Sequence, residues 1–387
     1  MRIIRWLTCL FFLLLSLTGC WDRAELEEVG FVIGVAFDPS RDNPKVFDST
    51  FHIAIPSAFG NGHVEGGTSG VQPFFNITSS GSTNFKMIRN INSRRSRSLN
   101  FEHLKVIVIN EELARQDFIT GVLDLYTRDH EMRRKTHVLI SNGAAKDVYI
   151  DKLPLEDMPG ISMDMIDENN QNVLGMIDTR EIGMISEKVA ANSSYLIPGV
   201  YKPQRGDLRL SGAAIINGST NKMMGWLDEG DVRGYNWVIG EAMNGILEAE
   251  GKNGDPFVFE ILSQETKLNY KRENGKNVFD VHIKAEGTFA ESWMSGLQID
   301  DPKALMEIEN ILEAEIKKQS QQIVTKMQEE YYCDIFSFQK LLKRKNYHYW
   351  KETKDRWEGE NGLFKDAVIT IHSDVLISHY MTQEKVS

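Results

Sequence analysis

Cysteine is scarce in this 387-residue chain: Cys9, Cys20 and Cys333 are all it has. There is no Cys-x-x-Cys and no His-Glu-x-x-His, and the nine histidines are scattered, so nothing in the sequence has zinc-ligand spacing. The Gly-x-Ser-x-Gly nucleophile elbow is absent. A glycine-rich stretch at 60–70 lacks the Gly-Lys-Ser/Thr of a phosphate cradle and reads as a loop. Positive charge is in deficit, with 44 Lys and Arg against 55 Asp and Glu for a net −11. That balance argues against sequence-independent nucleic-acid binding and against a polybasic grip on anionic lipid. Apolar runs of membrane-spanning length are missing as well, since a span needs roughly 20 residues.

One shorter apolar run is present, and it lies at the N-terminus. Met1-Arg2-Ile3-Ile4-Arg5 is a basic leader, residues 6–17 are apolar, and Leu17-Thr18-Gly19-Cys20 follows. The run has the length of a signal-peptide core, and its end resembles the lipobox of bacterial lipoproteins. That resemblance implies cleavage between Gly19 and Cys20 and a diacylglyceryl group on the Cys20 thiol. It would place the rest of the chain on the outer face of a membrane. Cys9 leaves with the leader, so Cys333 becomes the single free thiol and no intrachain disulfide can form. Set in Tyr331-Tyr332-Cys333-Asp334-Ile335-Phe336, it reads as a small buried hydrophobe.

The mature chain is long enough for two or three domains of about 150 residues. Residues 31–37, 51–55, 105–109 and 136–140 read as strands, and 84–96, 111–115, 117–126 and 185–191 as helices. Two prolines and two glycines in 198–207 mark a linker. It separates an N-terminal α+β region over 20–200 from a C-terminal α+β region over 207–387. In the second region 262–271 and 277–289 pair as a hairpin across Glu273-Asn274-Gly275-Lys276. Asp301-Pro302 then opens a long amphipathic helix near 303–330, with Leu305, Ile308, Leu312, Ile316, Ile323 and Met327 on one core-facing stripe. A strand over 367–378 closes the chain. Strands and helices alternate without a βαβ repeat, which predicts an α+β fold with mixed or antiparallel sheets.

Several of these pieces, taken in order, resemble the Ger(x)C family, the lipoprotein C subunits of bacterial spore germinant receptors. They are Gly19-Cys20-Trp21-Asp22-Arg23-Ala24-Glu25-Leu26, Asn100-Phe101-Glu102-His103, and Arg128-Asp129-His130-Glu131-Met132-Arg133. Later come Ser211-Gly212-Ala213-Ala214, Met224-Gly225-Trp226-Leu227 and Arg233-Gly234-Tyr235-Asn236-Trp237, then Gln328 through Phe336. Ser337-Phe338-Gln339 departs from the family, which has glycines there, and His379-Tyr380 stands where a terminal glycine is common. The resemblance implies a multi-domain α+β body, partnership with two integral membrane subunits, a place at the outer face of the spore inner membrane, and no enzymatic activity.

Single residues read blandly beside this. Asp129 and Glu131, flanked by Arg128, Arg133 and Arg134, form an ion-pair network more readily than an acid–base pair. Arg89, Arg94, Arg95 and Arg97 read as a solvated or ion-paired face. Trp226 and Trp237 fit core or interface, with core expected. His52 and His103 read as structural histidines. No residue is assigned to catalysis, a cofactor or a metal. The reading is a membrane-anchored receptor subunit needed for nutrient-triggered germination. The rival is a small-molecule-binding lipoprotein of the solute-receptor type, whose fold would show two repeated α/β lobes.

Overall fold

The computed structural model describes Trp6 and residues 29–56, 72–128, 132–170, 173–178, 180–294 and 301–380. The first half lays down β1 (Val29–Pro39), β2 (Phe47–Ala54), β3 (Phe74–Gly81), α1 (Asn84–Asn92), β4 (Ser98–Asn100) and β5 (Val106–Asn110). It continues through α2 (Glu111–Ala114), α3 (Ile119–Arg128), β6 (His137–Ser141), α4 (Pro159–Asn170), β7 (Arg180–Glu181), α5 (Ile182–Ala190) and β8 (Tyr195–Tyr201). The second half holds β9 (Arg209–Ile216), β10 (Met223–Leu227), α6 (Glu229–Ile239), β11 (Ile246–Glu250), β12 (Pro256–Glu273) and β13 (Lys276–Ser292). It ends with α7 (Pro302–Lys326), α8 (Phe338–Lys345), α9 (Tyr347–Thr353) and β14 (Val368–Tyr380).

Ten strands form one mixed sheet in the order β10-β9-β8-β6-β5-β1-β2-β3, with β4 beside β1 and β7 beside β6. Its central strands β1, β5, β6 and β8 are parallel. They are covered on both faces, which is why they read as unbroken apolar runs. Val35, Phe37, Ile107 and Ile109 face Met87 and Ile91 of α1 and Val122 and Tyr126 of α3. Ala36, Val106, Val108 and Leu139 face Met163 of α4 and Tyr149 of a short 3-10 turn. The α+β class expected from sequence is the class found.

A second sheet, β11-β12-β13-β14, packs one face on α7. Asp301 caps that helix through Oδ1, which accepts from Lys303 N at 3.0 Å, and Pro302 takes the first turn. Ile308, Leu312, Ile316, Ile323 and Met327 are buried against Phe257, Phe259, Phe279 and Val281. The helix also guards the sheet's edge. Glu313 and Glu309 accept from the outward amides of Val375 and Ile377 on β14, each at 3.1 Å, so part of this edge is closed to further pairing. The two sheets differ in strand number and order, so the described residues do not form two repeated lobes.

The expected linker corrects itself in the structure. Pro198-Gly199-Val200-Tyr201 belongs to β8 and is largely buried, and β9 returns beside β8 in the same sheet. Proline is tolerated there because the register shifts between Pro198 and Val200. Residues 202–208 are thus a connection between neighbouring strands. One apolar core joins Leu196, Ala213, Ile215 and Leu227 of the larger sheet to α6, α7 and the smaller sheet. The glycine-rich 60–70 segment, Cys20 and its leader apart from Trp6, and Asp129 and Glu131 lie outside the described residues.

Candidate functional site

The tryptophan and glycine motifs of the second half converge where the sheets meet. Gly212 starts this convergence. Its φ is +62°, and a Cβ there would sit 2.4 Å from Leu227 O, so both backbone and space require glycine. Gly234 on α6 faces α7, where a Cβ would lie 2.3 Å from Gln319 O and 2.8 Å from Ile323. Glycine lets the two helices touch backbone to backbone. One turn on, Trp237 is fully buried and its Nε1 donates to Gln319 Oε1 at 3.2 Å. Asn236 Nδ2 donates to the carbonyls of Leu174 and Met176 at 2.9 and 2.7 Å. The motif is therefore a packing code for α6, held between α7 and the 173–178 segment.

Trp226 plays a different part. It is half-buried and, with Tyr201, Arg209, Ser211, Glu229 and Arg233, lines a cleft of about 570 Å³ at the start of α6. Its Nε1 donates to Glu111 Oε2 at 3.0 Å. Glu229 Oε1 accepts from Arg209 at 2.5 Å and from the Ser211 hydroxyl at 2.6 Å. Arg209, Ser211 and Glu229 satisfy one another, an arrangement that fixes the shape of this side of the cleft. Among the described residues no group of three or more His, Cys, Asp or Glu is placed to hold a metal ion.

A buried acidic knot lies at another point of the same junction. Ser194, just before β8, donates its hydroxyl to Glu358 Oε2 at 2.6 Å and accepts from Gly218 N at 2.9 Å. Glu358 Oε1 accepts from Asp334 N at 3.0 Å. The Asp334 carboxylate, fully buried, accepts from Phe338 N at 3.1 Å, Gln339 N at 2.7 Å and Trp357 Nε1 at 3.0 Å. Burial pushes Glu358 up to about 7, against the pull of its Ser194 hydrogen bond. Burial also raises Asp334, opposed by its three N–H donors. Nearby, Lys188 Nζ of α5 donates to Ser337 Oγ at 2.9 Å, and burial lowers its pKa.

Cys333 adjoins this knot. It is completely buried, and burial drives its thiol pKa up, so it is the inert hydrophobe expected. Ser337, the first residue of the departure from the family's glycines, occupies the left-handed region at φ +65°. His52 is buried and stacked on Tyr149 at 4.8 Å. Asn76 Nδ2 is committed to Tyr149 O at 2.7 Å, so Asn76 Oδ1 must accept from His52 Nδ1 at 2.8 Å. Burial lowers this histidine to about 4. His103 packs edge-on against Phe31 at 5.4 Å. Arg89 covers the Phe85 ring at 5.0 Å, and Arg94, Arg95 and Arg97 are exposed. Arg128 pairs with Asp124 at 2.7 Å. The knot of Ser194, Asp334 and Glu358 was not read from sequence. Its signal was an aspartate set among aromatic and apolar neighbours, where an acid needs buried partners.

Comparison with known proteins agrees with this order of motifs. The family described as "Spore germination protein N-terminal domain" matches residues 22–200, and "Spore germination B3/ GerAC like, C-terminal" matches 211–381. Spore germination protein B3 of Bacillus subtilis is 31% identical over 352 residues, covering 90% of this chain and 91% of that protein. Spore germination protein YndF of the same organism is 28% identical, covering 96% and 95%. Spore germination protein KC is 26% identical, covering 89% and 88%. The crystal structure of the GerBC protein shares the fold, with a TM-score of 0.61 and 24% identity over 92% of this chain and all of that one. With both family segments in order and a relative matched along nearly its whole length, this chain belongs to the Ger(x)C family of spore germination proteins.

Proposed function

We propose that this protein is the lipid-anchored subunit of a germinant receptor. On this reading Cys20 carries a diacylglyceryl group at the outer face of the spore inner membrane, and the α+β body assembles with two integral membrane subunits. The observation that carries it is the joining, in one chain, of Leu17-Thr18-Gly19-Cys20 to a full-length match with spore germination proteins. Two acyl chains, at about 0.8 kcal/mol per buried methylene, anchor a protein firmly where one would not.

The role is assembly and coupling, with no residue assigned to catalysis. A body whose two sheets share one core can pass a displacement at one surface to another without an internal hinge at residues 200–207. Deleting the gene is expected to abolish germination in response to that receptor's nutrient and to spare receptor-independent germination. A deletant with a normal nutrient response would overturn the proposal.

A further inference from the structure

The net charge argues against an electrostatic grip on lipid, but sheet topology sorts the charges in a way that composition hides. β1, β4, β5 and β6 run parallel, so the segments leading into them gather at one end of the larger sheet. The loop into β4 carries Arg94, Arg95 and Arg97, all exposed, and Ser98 pairs with Val29 at the start of β1. Lys105 leads into β5, its N–H donating to Ile33 O at 2.9 Å. Exposed Arg133, Arg134 and Lys135 lead into β6, and His137 N donates back to Lys105 O at 2.8 Å.

This basic rim is also where the tether joins the body. Val29 opens the first strand, nine residues after Cys20. At 3.3–3.6 Å per residue, nine residues reach about 30 Å at full extension. The rim is therefore the part of the folded body held nearest the lipid on Cys20. Acids beside these cations among the described residues include Glu102, Glu181 and Asp164, the last paired with Lys105 at 2.7 Å, and Glu156 and Asp157 precede Met158, which packs on Ile33. Asp129 and Glu131 adjoin it in sequence. The tether holds Asp22, Glu25, Glu27 and Glu28 against Arg23, so attraction to an anionic surface has to come from the folded rim.

We propose that the end of the larger sheet where β1, β4, β5 and β6 begin is the membrane-facing surface of this protein and docks on anionic phospholipid headgroups. This deepens the lipid-anchor reading and rests on it. The anchor supplies attachment, and the rim supplies orientation, turning one face of the body to the bilayer. Cations near an anionic leaflet each contribute a modest attraction that salt screens within a Debye length.

The test uses the mature chain with Cys20→Ala, which carries no lipid, sedimented with phosphatidylcholine vesicles with or without phosphatidylglycerol. Co-sedimentation is expected only with phosphatidylglycerol and is lost as salt is raised. Reversing Arg94, Arg95 and Arg97 to Glu should weaken it by about tenfold or more. Reversing Lys267, Lys271 and Lys284 on the smaller sheet changes net charge equally and should matter far less. In the lipidated protein, a fluorophore at Ser96→Cys should be quenched by headgroup-bound quencher, and one at Asp42→Cys, at the far end of β1, should not. Equal binding by both triple variants, with thermal unfolding unchanged, overturns the proposal, as does equal quenching at the two positions. Mass spectrometry of Cys20 separates the two ideas. A bare thiol with intact rim binding removes the anchor alone, whereas a lipidated Cys20 with a rim indifferent to phosphatidylglycerol removes the docking surface alone.

Discussion

The hydroxyl of Ser194 and the carboxylate of Glu358 meet at 2.6 Å across the junction of the two halves, 164 positions apart in sequence. Around them, Gly218 N, Asp334 N and the Asp334 carboxylate complete a buried network joining the approach to β8 to the segment after α9.

That contact makes stability depend on pH. Glu358 stands near 7 in the folded chain against an ordinary 4.5, so the folded protein holds a proton that the unfolded chain has released. The contribution of Glu358 is fullest below pH 4.5, falls as pH rises toward 7, and is level above it, whereas buried His52, lowered to about 4, contributes in the opposite direction between about 4 and 6.5. Asp334, also raised by burial, acts in the same direction as Glu358. Glu358→Gln removes this one titration, so the variant is expected to gain on the parent as pH rises from 5 to 8, by a margin of order 1–3 kcal/mol. Urea unfolding of parent and variant at pH 5 and pH 8 measures this, since His52 is common to both, and a parent–variant difference that stays the same at the two values would contradict it.

Ser337 separates a strained backbone from a useful side chain. Its φ of +65° disfavours any residue with a Cβ, while its hydroxyl accepts from Lys188. Ser337→Ala and Ser337→Gly both lose the hydroxyl, but only glycine relieves the strain. The glycine variant should be the more stable of the two by about 1 kcal/mol. Equal midpoints in denaturant would show that the left-handed conformation is not held.

Gly234→Ala reverses a general rule. Alanine normally stabilises a helix interior by about 1 kcal/mol over glycine. Here its methyl would meet the Gln319 carbonyl at 2.3 Å, and α6 would have to move off α7. The expected result is a loss of about 1–3 kcal/mol, seen as a lower midpoint at unchanged m-value.

Cys333 should report global unfolding. On the proposal that the leader is removed and Cys20 carries diacylglyceryl on its sulfur, Cys333 is the sole free thiol, and it is buried with a raised pKa. Ellman's reagent is expected to find no reactive thiol in native protein and one per chain in denaturant. Fast native-state labelling would mean that the core around Asp334 opens readily.

What could be read from sequence follows from how local each signal is. The long helix declared itself through its Asp301 cap, Pro302 and a six-residue apolar stripe, all within one segment. The buried strands around Val35 and Val108 were legible as unbroken apolar runs. Helix α6 was missed because Gly230, Gly234 and the aromatic residues that follow, Tyr235 and Trp237, obscure helical periodicity, and the meaning of Gly234 lies in Gln319 and Ile323 some 85 positions away. The 198–207 stretch has the composition of a linker, yet its first residues are held by pairing with β9, a contact that local composition cannot express. The rim was unreadable for the same reason. Its arginines and lysines come from three separate segments that only the parallel strands bring together.

The strand pair β8–β9 also bears on how members of this family can be recombined. The two matched segments end at 200 and resume at 211, and a splice placed there would fall between hydrogen-bonded neighbours of one sheet. A chimera built at that boundary would ask the edge of one protein's β8 to recognise another's β9, and one core to close over two ancestries. Exchanges that move residues 195–227 as a single cassette keep the β8–β9–β10 pairings intact and shift the seam to β6 and β8, which meet through only the Ile140–Gly199 and Ser141–Val200 pairs.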